Sequence, residues 1–431
     1  MYASVFWLTA LAFVSPLTGF LLEMMLARRF GATAELDAYR VGQSLYMMGA
    51  GMIVAQLLPH VILPAFLEMK ERHGELAAWQ GFLAILAILG GAEAALLGVT
   101  ALWPAVIGHW IAPGLAPAGQ ASLPTLLFAQ ALAQAALVCC GAAGVVFTAY
   151  QVFVVGALPQ ILLNLFTLAA LDLLRTPMTR SLATGLAVGA AVALLLHAVW
   201  IVRLSQHAGV TFATRPRLDV LRGLGIVRGI LAPLTVSVGL AHLANLVMQN
   251  SLSLQTAGSM ALFGYAFRLT ALVHLPLSSY ANVIFPKLSS ALAQQGFAAI
   301  VEPIQTSLWR MFWGGAVVAA LLWAVRAQVT AVLFGRGALS AADLDRVSLM
   351  FGIFLVGAPT GSLATMLHRT FAALRAGRVL VVSGAVMLAL TWFSVDSLSA
   401  SFGAPGIAIA WTLAMWGQVA FLAAALAWRK S

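Results

Sequence analysis

The sequence predicts an all-α protein that crosses a membrane many times, and three observations carry that prediction. Of 431 residues, 62% are hydrophobic and only 8% charged. Soluble globular chains carry about 45–50% apolar and about 25% charged residues, so this chain has too few charges to clothe a water-facing surface. Mean hydropathy is +0.98. Apolar runs of about 20 residues, the length that crosses a hydrocarbon core of roughly 30 Å, recur from end to end. These runs are continuous and rich in Leu, Ala and Val, which argues against the short alternating strands of a membrane β-barrel.

Twelve helical spans are expected, at roughly 4–27, 42–66, 80–106, 122–148, 152–174, 181–204, 225–251, 259–284, 308–326, 345–371, 378–395 and 404–428. The first lacks a basic flank, is too long for a signal peptide and carries Glu23, so it reads as a helix. Glu93 stands in the middle of the third, within Gly90-Gly91-Ala92-Glu93-Ala94. The fourth holds Gln130, Gln134 and the adjacent Cys139 and Cys140, which read as packing residues. Asn164 lies in the fifth, His242, Asn245 and Gln249 in the seventh, and Arg268 about ten residues into the eighth. Ser340 to Asp343 has the spacing of a capping box opening the tenth. Pro16, Pro59, Pro159, Pro233, Pro276 and Pro359 fall within spans, where each removes a helix hydrogen bond and invites a kink.

The longest basic connector, with Arg215, Arg217 and Arg222, divides the spans six and six. The expected domains are an N-terminal lobe (1–205), a cytoplasmic connector (206–224) and a C-terminal lobe (225–431). An even number of spans per half makes both lobes enter the membrane in the same direction, as parallel pseudo-repeats around a central cavity. Ala38-Tyr39-Arg40-Val41 before Val61-Ile62-Leu63-Pro64 is echoed by Ala266-Phe267-Arg268-Leu269 before Val283-Ile284-Phe285-Pro286. With the N-terminus inside, most Lys and Arg fall on cytoplasmic loops, among them Lys70, Arg72, Arg203, Arg215, Arg217, Arg375 and Arg378. Fewer fall outside: Arg28, Arg29, Arg40, Arg175, Arg180, Arg326, Arg336 and Arg346. That bias places both termini in the cytoplasm. It also accounts for much of the net charge of +10, which no long basic or aromatic run assigns to nucleic acid.

No loop exceeds about twenty residues, which leaves no room for an extramembrane catalytic domain. There is no phosphate-cradling glycine loop with Lys, no zinc spacing of His and Glu, and no Ser-His-Asp order; an enzyme is not expected, and no cofactor or metal is implied. Ionisable groups inside the membrane are the informative residues, because each is costly there. Arg268 is too deep to snorkel easily, keeps its charge, and offers a planar fork to phosphate oxygens. Its structural alternative is a pair with a carboxylate or helix carbonyls. Glu23 sits near the end of its span, as an interfacial or cavity residue. Glu93 is either a protonated structural group or one that titrates during coupling.

Several motifs then resemble the lipid II flippase family MurJ (also called MviN), of the multidrug/oligosaccharidyl-lipid/polysaccharide exporter superfamily. They are Ala27-Arg28-Arg29-Phe30-Gly31-Ala32 with Asp37-Ala38, Leu63 to Glu68, Ala112-Pro113-Gly114, and Pro159 with Asn164. In the second half come Tyr265 to Leu269 with Phe285 to Ser289, then Leu333-Phe334-Gly335-Arg336-Gly337 with Ser340 and Asp343, and finally Arg369, Phe371 and Leu374. The resemblance implies a flippase of the bacterial inner membrane that turns an undecaprenyl-pyrophosphate-linked saccharide between leaflets by alternating access. Arg268, Glu23, Asp37 and Asn164 are the substrate-site residues it implies; Arg40, extra to the family's pattern, is added as an outward-side partner of Arg268, and Glu93 as a coupling candidate. The family's other arginines are replaced here by Pro16, Leu22 and Ala50, which widens the expected substrate from lipid II to related lipid-linked precursors. Membrane lipids and envelope-synthesis enzymes are the implied partners. Two rivals share the fold class: an ion-coupled drug or metabolite exporter, for which Glu93 is the best residue, and a non-transporting scaffold for envelope synthesis.

Overall fold

The computed structural model describes residues 2–52, 62–174, 176–210 and 225–429, and among them there is helix and turn but no strand. Pro59, Arg175 and most of the basic connector, including Arg215, Arg217 and Arg222, lie outside the described residues. The chain divides into two compact units.

The first unit comprises Met1–Leu26, Ala38–Trp110 and Leu115–Leu231. It holds most of α1 (Tyr2–Phe30) and α2 (Ala34–Met52), then α3 (Leu63–Leu102), most of α4 (Pro104–Ile111), α5 (Pro117–Ala149), α6 (Phe153–Gly156), α7 (Leu158–Leu173) and α8 (Met178–His207). Most of the third expected span lies inside a much longer helix. Forty residues at 1.5 Å each would reach about 60 Å, twice the bilayer core, and α3 is divided at Gly74, whose φ of 83° is open to glycine. The segment before Gly74 carries Glu68, Lys70, Glu71 and Arg72, good helix formers that hydropathy cannot mark. The span also ends sooner than expected: Pro104 starts a separate helix, α4. Pro159 likewise starts α7 rather than kinking it, since the first turn has no use for its missing N–H.

Two contacts organise this unit. Phe66, Trp79 and Phe82 meet edge to face with centroids 5.9–6.5 Å apart. On α8, Gly185 and Gly189 let α7 approach closely: a Cβ would stand 2.5 Å from the Thr167 Cα and 2.9 Å from the Leu163 Cα. Small residues four apart serve this purpose in membrane helices. Near the Gly74 break, Lys70 Nζ lies 2.6 Å from Glu75, and the Tyr150 hydroxyl donates to Glu75 at 2.5 Å. Trp79 Nε1 donates to that hydroxyl at 3.0 Å. Burial, helped by the Glu75 carboxylate, pushes the Tyr150 phenol up to about 12.

The second unit comprises Ala27–Asp37, Ile111–Gly114 and Ala232–Ser431. It holds most of α9 (Gly225–Ser253), then α10 (Ser259–Leu269), α11 (Ala271–Gln295), α12 (Ala298–Ala324), α13 (Arg326–Phe334), α14 (Ala341–Ala373), α15 (Gly377–Phe402) and α16 (Ala404–Trp428). The eighth expected span is broken. Its halves, Ser259–His274 and Pro276–Leu292, meet at 41°, at Pro276. Pro16, Pro233 and Pro359 lie inside α1, α9 and α14 as expected. The capping box is formed: Asp343 N–H donates to Ser340 Oγ at 3.1 Å and Ser340 N–H to the Asp343 carboxylate at 3.2 Å. Ile304, Met366, Phe371, Leu380 and Leu422 fill the core.

Among the described residues, seven helices are long and apolar enough to cross a membrane, or eight with the bent pair as one span. Large side chains such as Leu195, Leu321 and Phe393 are exposed on them. Such exposure suits lipid as the solvent, not water. The chain is a multi-pass helical membrane protein.

Candidate functional site

The first unit gathers four of the six expected site residues into buried polar contacts. Arg40 on α2 and Glu23 on α1 are each about 95% buried and form a two-pronged ion pair, with Arg40 Nη1 donating to Glu23 Oε1 at 2.8 Å and Nη2 to Oε2. Arg40 Nη1 also donates to Gln43 Oε1 at 2.8 Å, one helical turn on. The pair is buried and matched, so most of each charge is neutralised locally. Asn164 on α7 belongs to a second network. Tyr46 donates to Gln160 at 2.7 Å, Gln160 to Asn164 at 3.1 Å, and Asn164 to Thr18 at 3.1 Å. Glu93 on α3 accepts from Gln134 Nε2 on α5 at 2.9 Å.

Gln43, Tyr46, Gln160 and Thr18 were not singled out from sequence. The readable trace was local spacing: Arg40 with Gln43 at three residues and Gln160 with Asn164 at four put each pair on one helix face.

The other two expected residues lie in the second unit. Asp37 accepts hydrogen bonds from the backbone N–H groups of Gly258 at 2.6 Å and Ala261 at 2.9 Å. It thereby satisfies donors at the start of α10, the end where a helix favours negative charge. Arg268 sits in the last turn of that same helix, half-buried. Among the described residues, neither a carboxylate nor a carbonyl pairs with its guanidinium. Beside it Phe267, 41% exposed, packs edge to face on Phe354 and Trp411. The site residues thus fall into three kinds: a neutralised pair, the hydrogen-bonded Asn164, Glu93 and Asp37, and one arginine whose fork has no partner among the described residues, on a helix held firmly at its other end.

The sequence motifs converge on that hold. Gly31, with φ of 63°, presents its carbonyl to the Tyr265 hydroxyl at 2.9 Å. The Ala338 N–H donates to the Arg28 carbonyl at 3.0 Å. A Cβ on Gly337 would stand 2.3 Å from the Arg28 Cα, and one on Gly258 2.4 Å from the Ala32 carbonyl oxygen. The turn after α1, the start of α10 and the loop after α13 therefore form one clasp, and the motifs from three distant stretches mark its three sides.

Comparison with known proteins identifies the family. A probable lipid II flippase MurJ of Rhizobium meliloti (strain 1021) is 24% identical over 434 aligned residues, covering 96% of this chain and 78% of that protein. Among solved structures, a lipid II flippase MurJ in an inward closed conformation superposes with a TM-score of 0.79 at 14% identity, over 97% of this chain and 87% of that one. An inward-facing multidrug resistance MATE family transporter of the MOP superfamily gives the same TM-score at 13% identity, over 96% and 93%. At such identities the structural likeness speaks for the fold. The family model described as lipid II flippase MurJ separates the two, since it matches residues 26–431, from the clasp onward, and the chain belongs to that family.

Proposed function

We propose that this protein is a flippase of the bacterial inner membrane. It moves an undecaprenyl-pyrophosphate-linked saccharide, lipid II or a related envelope precursor, from the inner to the outer leaflet by alternating access. The observation that carries the reading is Arg268, a half-buried guanidinium within a membrane-spanning segment that no carboxylate neutralises among the described residues. A cation left unspent in such a place is costly unless it serves an anion. A planar fork suits two phosphate oxygens, and each charge-assisted bond contributes about 1.5–3 kcal/mol. Capping of α10 by Asp37 makes Asp37 a positioning residue, and Glu23 and Arg40 fit the same reading as a matched pair shaping the first unit's interior. Asn164 holds α7 to α1 through Thr18. Both termini are assigned to the cytoplasm from the distribution of basic loops.

The test is native mass spectrometry of the purified protein with undecaprenyl-pyrophosphate saccharides, undecaprenyl phosphate and an ordinary anionic phospholipid. Wild type should retain the pyrophosphate-linked species selectively, and Arg268→Ala should lose that selectivity. Retention no better than phospholipid, or unchanged in the mutant, would sink the assignment and favour an ion-coupled exporter on the same fold.

A further inference from the structure

A carboxyl group that this reading does not use lies in the first unit. Glu93 is 4% exposed and stands about nine residues, or ~14 Å, from the end of α3 at Leu102. That depth is near the middle of a hydrocarbon core about 30 Å thick. Its hydrogen bond among the described residues comes from a neutral amide, Gln134 Nε2. Gln134 is 1% exposed and its Oε1 has no partner among the described residues; Gln130, one turn earlier, is 3% exposed and its Nε2 has none among them. α2 closes in on this spot, since a Cβ on Gly42 would lie 2.9 Å from Gln130 Cγ.

Among the described residues, the facing groups supply no counter-charge. α5 has no charged residue between Pro117 and Ala149, and its titratable side chains are Cys139 and Cys140. α2 brings Arg40, which is bonded to Glu23 and Gln43. The other ionisable groups of α3 lie from Glu75 back towards its start. An anion with one amide donor is poorly compensated at this depth. Metal is a poor occupant: hard divalent cations take about six or more oxygen ligands, and the described residues hold no group of three His, Cys, Asp or Glu able to bind one.

A proton needs one acceptor. As a carboxylate, Glu93 accepts from Gln134 Nε2. As an acid, with the Gln134 amide turned over, it would donate its O–H to Gln134 Oε1, the oxygen left without a partner in the first state. We propose that Glu93, with Gln134 and Gln130, is a one-proton site inside the first unit, loaded and emptied during the transport cycle. Loading takes one proton from water onto a carboxylate oxygen and removes one negative charge; emptying reverses both. The site stands on its own geometry, and its link to lipid movement rests on the flippase reading.

Infrared difference spectroscopy of the full chain in zwitterionic bilayers, titrated over pH, tests the site. One carboxylic acid carbonyl band should titrate, be lost completely in Glu93→Gln, and shift in Gln134→Leu, where the acid loses its acceptor. A band unchanged in both variants would overturn the site, and the second variant keeps the test decisive if the first misfolds. Proteoliposomes holding a pH-sensitive dye test the link. Adding an undecaprenyl-pyrophosphate saccharide should move protons in wild type and not in Glu93→Gln, with lipid retention equal in the two. Lipid movement without proton movement would overturn the link. A titrating Glu93 band in a protein that retains no lipid would support the site while the flippase reading fails.

Discussion

Arg40 and Arg268 carry the same charge in different surroundings, and substitutions should separate them. Removing Arg40 strands Glu23 as a buried anion, so Arg40→Ala should cost about 3–5 kcal/mol of stability. Replacing both by Gln should cost much less, and thermal unfolding in detergent measures the difference. Arg268→Ala should leave unfolding unchanged within about 0.5 kcal/mol, because it breaks no internal pair. Its loss should appear in lipid retention alone. Arg268→Lys keeps the charge but not the fork, so retention should fall between the two. From sequence, Glu23 and Arg268 stood out as ionisable groups in apolar spans, whereas Arg40 fell between two spans, on an expected outside loop. Which of them were neutralised was not readable, because Glu23 and Arg40 lie 17 residues apart on two helices.

At the scale of the element, α10 depends on a carboxylate borrowed from the first turn of α2. Asp37→Ala should cost about 0.5–2 kcal/mol, the usual loss of an N-terminal cap, and should also weaken lipid retention by loosening the helix that carries Arg268. Gly185→Leu should be worse tolerated than Gly90→Leu: a side chain at Gly185 would meet the α7 backbone, while a Cβ at Gly90 meets nothing within 4 Å. Yield of monodisperse protein reports this. The Tyr150 contact should have a pH signature. Its proton is held more tightly in the folded protein, so its contribution is level below pH 10 and falls as pH climbs towards 12. Ultraviolet titration should show a late phenolate that is lost in Tyr150→Phe and comes earlier in Glu75→Gln. Helix ends were the least legible feature. Hydropathy marks where lipid begins, and α3 continues through charged residues beyond that point.

The whole molecule is a chain whose low charge left a bilayer as its solvent, and that much composition settles: the helical class and the many spans follow from it. The family motifs were legible too, as short strings of residues in order. Their meaning was not. Only the tertiary structure showed that Gly31, Asp37, Gly258, Tyr265 and Gly337 build one clasp, because close backbone approach and a cap to a distant helix leave no local period in sequence. The same holds for charge. Sequence determines how many ionisable groups enter the membrane and at what depth; folding decides which of them find partners, since pairing depends on distances between helices far apart along the chain. Arg40 found one, and Arg268 did not among the described residues.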